Sequence, residues 1–226
     1  MYLSLNEHLE RIKNKLPPSA EKEDIRYSAA FTGYRPEKLP FGSDFNCEMA
    51  LELKNAMYRT YEKLFLKGYR YFLTGGAMGS DLMAADAVAQ LKRFYGKRAK
   101  DVTCYICLPC HDHIRKWPPQ EKEHLEKILN EGAYAFYVSD RPYFSGCMQV
   151  RNKYMVDTSA VLIAVYDGKA GGTRNTVEYA ERQRKKILVL DPSNASKSEF
   201  FIKPEDVTHN LSFLNSSKLE YRLNRL

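Results

Sequence analysis

The chain has 226 residues, 44% hydrophobic and 12% aromatic, enough for the core of one α/β domain with short extensions. Its 35 basic and 28 acidic side chains leave a formal charge of +7, which suits an anionic ligand and keeps nucleic acid open as a partner. No apolar run is long enough to span a bilayer, the first residues lack the basic-then-apolar order of a signal peptide, and five cysteines are an odd number for a disulfide framework. Neither a membrane-spanning nor a disulfide-stapled secreted class is therefore expected, and the cytoplasm is the expected location.

Residues 4–16 open with Ser4-Leu5-Asn6-Glu7, a capping-box pattern, and continue with Leu9, Ile12 and Leu16 at helical spacing. Pro17-Pro18-Ser19 ends that short helix, so residues 1–24 read as an N-terminal helical extension and linker. Six strand patterns then alternate with helical ones over residues 25–192. The first strand covers residues 26–32 and runs into the turn Gly33-Tyr34-Arg35-Pro36, before a helix over 47–67. The second, at 69–74, enters Gly75-Gly76-Ala77-Met78-Gly79-Ser80-Asp81 and a helix over 82–94. The third, at 102–108, leads to a loop with His111 and His113, where loop histidines are expected to meet solvent and Trp117 to enter the core. Pro118-Pro119 introduce a helix to Asn130 that Gly132 closes, and residues 133–138 form the fourth strand.

A basic helical stretch at 151–158 precedes the fifth strand at 160–166. The turn Asp167-Gly168 through Gly171-Gly172 follows, Thr173 opens another helix, and residues 187–190 are the sixth strand. Residues 193–226 read as a polar C-terminal extension with a short helix over 217–226. Alternation of this kind builds βαβ units, so the expected fold class is α/β: a Rossmann-like three-layer fold with a mostly parallel sheet of about six strands and helices on both faces. The spacing Cys104-x-x-Cys107-x-x-Cys110 before the two histidines invites zinc, but residues three apart on a strand face opposite ways, so no metal site is expected. The basic clusters Lys92/Arg93/Lys97/Arg98/Lys100 and Arg182/Arg184/Lys185/Lys186 lie at predicted helix ends, where cations complement the dipole.

Open α/β sheets bind ligands at the carboxyl ends of their strands, near the point where strand order reverses. Three such ends here concentrate glycine and polar residues: Gly33, Tyr34 and Arg35; Gly75, Gly76, Gly79, Ser80 and Asp81; and Asp167, Gly168, Gly171, Gly172 and Thr173. At the last of these a strand, a glycine turn and a helix start converge several backbone N–H groups on one point, which fits a phosphate. Gly171, Gly172 and Thr173 are the expected cradle, with Arg151 assisting; Gly75, Gly76, Gly79 and Asp81 are the expected site for a ribose or second phosphate. Asp81 with Ser80 also fits a plain helix cap, and Tyr34 and Arg35 either grip the ligand or form an ordinary exposed turn. Neither the G-x-G-x-x-G spacing nor the G-x-x-x-x-G-K-[ST] frame is present.

These motifs, with Phe31-Thr32-Gly33-Tyr34-Arg35-Pro36 and Gly171-Gly172-Thr173-Arg174-Asn175-Thr176, resemble the YpsA-like branch of the SLOG superfamily over roughly residues 26–192. The resemblance implies a Rossmann-like fold and a nucleotide-derived ligand related to NAD or ADP-ribose. The last motif also resembles that of the Lonely Guy phosphoribohydrolases, whose arginine falls on Arg151 and whose glutamate falls on Glu178; Ala170, Asn152, Arg174 and Asn175 depart from that pattern. On that likeness Glu178 and Arg151 are the candidate catalytic pair of a nucleotide N-glycosidase, the carboxylate stabilising an oxocarbenium ion and the guanidinium fixing the phosphate. The expected function is a sensor or carrier that binds a nucleotide or NAD-derived small molecule and requires no cofactor. A phosphoribohydrolase and a single-stranded DNA-binding protein, the latter by likeness to DNA-processing protein A of the same superfamily, are the alternatives. No membrane partner is expected, and a homo-oligomer is compatible with the sequence.

Overall fold

The structure is a computed structural model that describes residues 2–12, 22–195 and 200–202. The strands are β1 (Ser28–Thr32), β2 (Tyr71–Thr74), β3 (Thr103–Leu108), β4 (Tyr134–Tyr137), β5 (Val161–Val165), β6 (Lys186–Leu190) and β7 (Phe200–Ile202). They form one sheet in the order β4-β3-β2-β1-β5-β6-β7, parallel except for β7. Every residue of β1 and β5 is buried, as parallel strands covered on both faces must be. Their unbroken apolar runs, Ala29-Ala30-Phe31 and Val161 to Val165, are that coverage written in sequence.

The helices are α1 (Leu5–Ile12), α2 (Lys22–Arg26), α3 (Glu48–Leu66), α4 (Ser80–Tyr95), α5 (Pro119–Asn130), α6 (Cys147–Asp157) and α7 (Gly172–Arg182). α3, α4 and α5 follow one another along one face, while α6 and α7 pair on the other, where they meet β1, β3, β5 and β6. Right-handed crossovers produce this division when the chain moves outward from β1 first in one direction and then in the other. The order reverses between β1 and β5, so the crevice at the carboxyl ends of these two strands is where the architecture leaves room for a ligand.

The capping box of α1 is formed: Ser4 N–H donates to Glu7 Oε2 at 2.7 Å, and Glu7 N–H donates to Ser4 Oγ at 3.3 Å. Leu5 and Ile12 bury the apolar face of α1, and Asn130 holds Leu3 through both its amide groups, each at 2.8 Å. Trp117 is buried, as expected of a core anchor.

Three boundaries differ from the sequence expectation. Arg26 ends the short helix α2 and does not begin β1. α6 begins at Cys147, one turn before Arg151, because Gly146 in a left-handed conformation lets the chain turn into it. The chain beyond Pro192 is more than an appendage: Phe200–Ile202 returns as β7 and pairs antiparallel with β6. The proline linker at 17–19 and the helix expected over 217–226 lie outside the described residues.

Cys104 and Cys107 are buried in β3, and burial pushes the Cys104 thiol up to about 12. Among the described residues no group of three or more histidine, cysteine or acidic side chains could hold a metal ion, and no helix is long and apolar enough to cross a membrane.

Candidate ligand cleft

The turns after β1, β2 and β5 do meet at one end of the sheet, and the chemistry of each decides whether a ligand can use it. The β1 and β2 turns are interlocked. The Tyr34 carbonyl accepts from Ser80 N–H at 3.1 Å and from Ser80 Oγ at 2.8 Å, which caps the start of α4 with backbone from the β1 turn. Ser80 is fully buried by this arrangement. A Cβ on Gly33 would lie 2.6 Å from Ser80 Cβ, and one on Gly79 2.9 Å from Pro36 Cδ, so both glycines are required for close approach between the turns.

Under the β2 turn lies Arg151, only 5% exposed. Its Nη1 donates to the Gly75 carbonyl, approaches the Cys107 carbonyl at 3.4 Å and pairs with Asp81 Oδ2 at 3.7 Å. Asp81 also accepts from Ala77 N–H at 3.1 Å. Burial pushes the Asp81 carboxyl up, and the neighbouring Arg151 guanidinium works in the opposite direction. The position of Gly75 is already occupied in space: a Cβ there would land inside the Arg151 guanidinium and 2.6 Å from Asp81 Oδ2. Gly75, Gly76, Gly79, Ser80 and Asp81 are therefore packed inward. The sequence expectation has this turn present its glycines and Asp81 to a ribose or phosphate; here they face Arg151, whose Nε is buried without a hydrogen-bond partner.

His113 closes the same turn from the far side. Its ring stands edge-on to Trp117, with centroids 5.5 Å apart, and its Nε2 is buried without a hydrogen-bond partner. Burial, with the Arg151 and Arg35 charges adding to it, pushes its imidazole down to about 3. The loop histidine expected in solvent is thus a neutral packing element. His111 instead pairs with Asp140 at 2.8 Å.

The β5 turn is built differently. Tyr34, read from the sequence as gripping a ligand or standing in an exposed turn, is 3% exposed; it donates its hydroxyl to Asp167 and stands edge-on to Tyr166 at 6.2 Å. Burial works to raise the Asp167 carboxyl, but hydrogen bonds from Lys169 and Tyr34 outweigh it and hold the group below the usual carboxylate range. Thr173 donates its hydroxyl to the Gly33 carbonyl at 3.1 Å, anchoring the first turn of α7 to β1. No side chain caps α7, and its first turn contains no acid. The first bond of the helix is Asn175 N–H to Gly171 C=O, so the N–H groups of Gly172, Thr173 and Arg174 lack an intrahelical acceptor. A Cβ on Gly172 would meet nothing within 4 Å: here the surface is open.

A cation missed in the sequence stands over this opening. Lys38, in the 3-10 turn Pro36–Lys38, donates to the Ala170 carbonyl at 2.9 Å and lies 5.9 Å from the centre of the Tyr34 ring. A Cβ on Gly171 would run into its ammonium group. Lys38 is separated from Ala170 by 132 positions, so only the fold brings them together; the available signal was a lysine three residues beyond Arg35 on the first turn. Arg35 itself is exposed, and its charge is felt by Asp81, Arg151 and His113.

Arg151 and Glu178, the expected catalytic pair, are held by different partners. Glu178 accepts from Arg174 Nε at 2.7 Å across one turn of α7, with about a third of its side chain exposed, while Arg151 belongs to the buried Asp81 pair.

Comparison with known proteins agrees with this architecture. The model of the YspA SLOG family matches residues 29–203. The SPbeta prophage-derived protein YoqJ of Bacillus subtilis is 33% identical over 58% of this chain and 82% of its own length. The UPF0398 protein YpsA of the same organism is 28% identical over 69% of this chain and 84% of its own. Among solved structures, DNA processing protein A of Streptococcus pneumoniae superposes with a TM-score of 0.55 at 12% identity, covering 89% of this chain and 76% of that one. A Helicobacter pylori DNA processing protein A, solved for its single-stranded DNA binding mode, gives a TM-score of 0.50 at 18% identity over 79% and 75%. At these identities the structural likeness establishes the fold.

Proposed function

Starting from the fact that the chain belongs to the YspA SLOG family, we propose that its β5 turn holds the phosphate of a nucleotide or NAD-derived ligand of the ADP-ribose type, which the protein senses or carries in the cytoplasm. The observation that carries this reading is the uncapped start of α7, with Gly172 open and Lys38 above it. An ammonium group beside the positive end of a helix is unfavourable on its own, and an anion seated between the two relieves both. The free N–H groups then supply directional hydrogen bonds and Lys38 supplies charge. Arg35, exposed on the neighbouring turn, is placed to meet a second anionic group.

Thermal-shift titration with AMP, ADP, ADP-ribose and NAD tests this. A ligand at a hundred times its Kd adds about 2.7 kcal/mol to the folded state. Lys38→Ala, by weakening the ligand about tenfold, should cut this to about 1.4 kcal/mol, and Gly172→Val should reduce it as well, neither unfolding the protein; a shift of wild-type size in both variants sinks the proposal. The N-glycosidase alternative requires Glu178 to leave Arg174, and release of ribose 5-phosphate lost in Glu178→Gln would establish it.

A second reading lays single-stranded DNA along the same cleft. The formal charge of +7 favours it, as does kinship in fold with the Helicobacter pylori protein described by its single-stranded DNA binding mode. Its signature would be binding that weakens steeply with salt and is lost in the Lys38 and Gly172 variants.

A further inference from the structure

At the end of the sheet opposite the cleft, α3 and α4 finish side by side, and their last turns carry an unusual mixture. Phe94 is 72% exposed and Leu66 61% exposed. Phe94 stands edge-on to the half-buried Tyr95 at 5.1 Å, and the Arg98 guanidinium lies 5.3 Å from the Tyr95 ring centre. Tyr95 packs in turn on Phe65 at 4.8 Å, so the aromatic rings form a row from core to surface. Around them Lys67, Lys97, Arg98 and Lys100 are exposed, and their side chains make no ion pair with the described residues. Arg93 is the exception, bound to Glu131 at 2.6 Å.

Favourable cations at helix carboxyl ends account for the charges here, but they leave the exposed ring unexplained. A free aromatic face beside unpaired cations is what a polymer of flat bases and phosphates requires: the ring takes a base, and the cations take the backbone. Duplex DNA hides its base faces and offers Phe94 nothing to stack on. A bilayer would require an apolar face several side chains wide, and here two side chains protrude. We propose that the carboxyl ends of α3 and α4 form a binding surface for single-stranded nucleic acid, with Phe94 as the stacking platform and Lys97, Arg98 and their neighbours as phosphate contacts. This surface is separate from the cleft, and the proposal rests on the first reading above, in which the cleft holds a small nucleotide-derived ligand and not the single strand.

The test is fluorescence anisotropy of a labelled oligothymidylate of about 16 nucleotides in about 50 mM salt. Phe94→Ala should weaken binding about tenfold, within the range for loss of one base stack. Lys97→Gln/Arg98→Gln should lower the slope of log affinity against log salt by about 1.4, the share of two phosphate contacts on a single strand. The cleft variants Lys38→Ala and Gly172→Val should bind as wild type does, which separates this surface from the cleft. All the substituted side chains are exposed, so equal thermal melting of the variants is the control for folding. The proposal is overturned by absence of binding, by wild-type affinity in both surface variants, or by loss of binding in the cleft variants alone. It is equally overturned if phosphatidylserine vesicles retain the protein through Phe94 while the oligonucleotide does not.

Discussion

The turns after β2 and β5 have much the same composition, both glycine-rich and both leading from a buried strand into a helix, yet they are opposite in use. The β2 turn is closed, with Arg151 and Asp81 paired beneath it and His113 packed against Gly76. The β5 turn leaves Gly172 open and three helix N–H groups free, with an exposed lysine above them. Glycine thus serves two needs that look alike in sequence: it lets a guanidinium approach the backbone in one place and leaves the backbone accessible in the other.

The sharpest way to break the contrast is to open the closed turn. Arg151→Ala leaves the Asp81 carboxylate buried without its partner, and urea denaturation should show a loss of about 3–5 kcal/mol. Gly172→Ala in the open turn should leave stability within about 1 kcal/mol of wild type, because the added methyl meets no neighbour.

Next in size is a pH effect confined to the closed turn. The His113 imidazole is pushed from 6.5 down to about 3, so between those values the unfolded chain takes up a proton that the folded chain refuses. The stabilisation is fully present above the unfolded value and is lost as pH falls. Well below pH 6.5 the slope should approach about 1.4 kcal/mol per pH unit, and urea midpoints in wild type and His113→Gln should differ in that slope.

Smaller still, Lys38→Ala should change ligand-free stability by less than about 0.5 kcal/mol, since its hydrogen bond to Ala170 is exposed. Calorimetric titration with ADP-ribose should nonetheless show affinity reduced about tenfold, the worth of one hydrogen bond to a charged group. Last, Glu178→Gln should cost only about 0.3–0.5 kcal/mol, as expected of an i,i+4 pair on a helix surface.

Most of the fold was legible because parallel strands and their crossover helices write strong periodic patterns, and Phe31, Phe72, Ile106 and Ile163 all fall in the core. That the turns after β1, β2 and β5 meet at one end of the sheet was legible too, from their glycines at strand ends. Which turn is open was not. Arg151 reads as a cation available for a ligand until the fold places it beneath Gly75, and Tyr34 reads as an exposed turn aromatic until its hydroxyl finds Asp167, 133 positions away. Lys38 was missed for the same reason, since its partner Ala170 is set by tertiary structure alone. β7 escaped because three residues pairing antiparallel carry no crossover and no period long enough to register.

That last strand covers an edge of the sheet. β6 lies on the outer flank of the sheet, and the register Ile187–Ile202, Leu188–Phe201, Val189–Phe200 satisfies backbone groups that would otherwise template another chain. Shortening the protein just after Pro192 would bare an apolar rim, Ile187 to Leu190, whose simplest remedy is the same rim on a neighbour. Such a truncated form should gather into assemblies at lower concentration than the intact chain does, as light scattering would show.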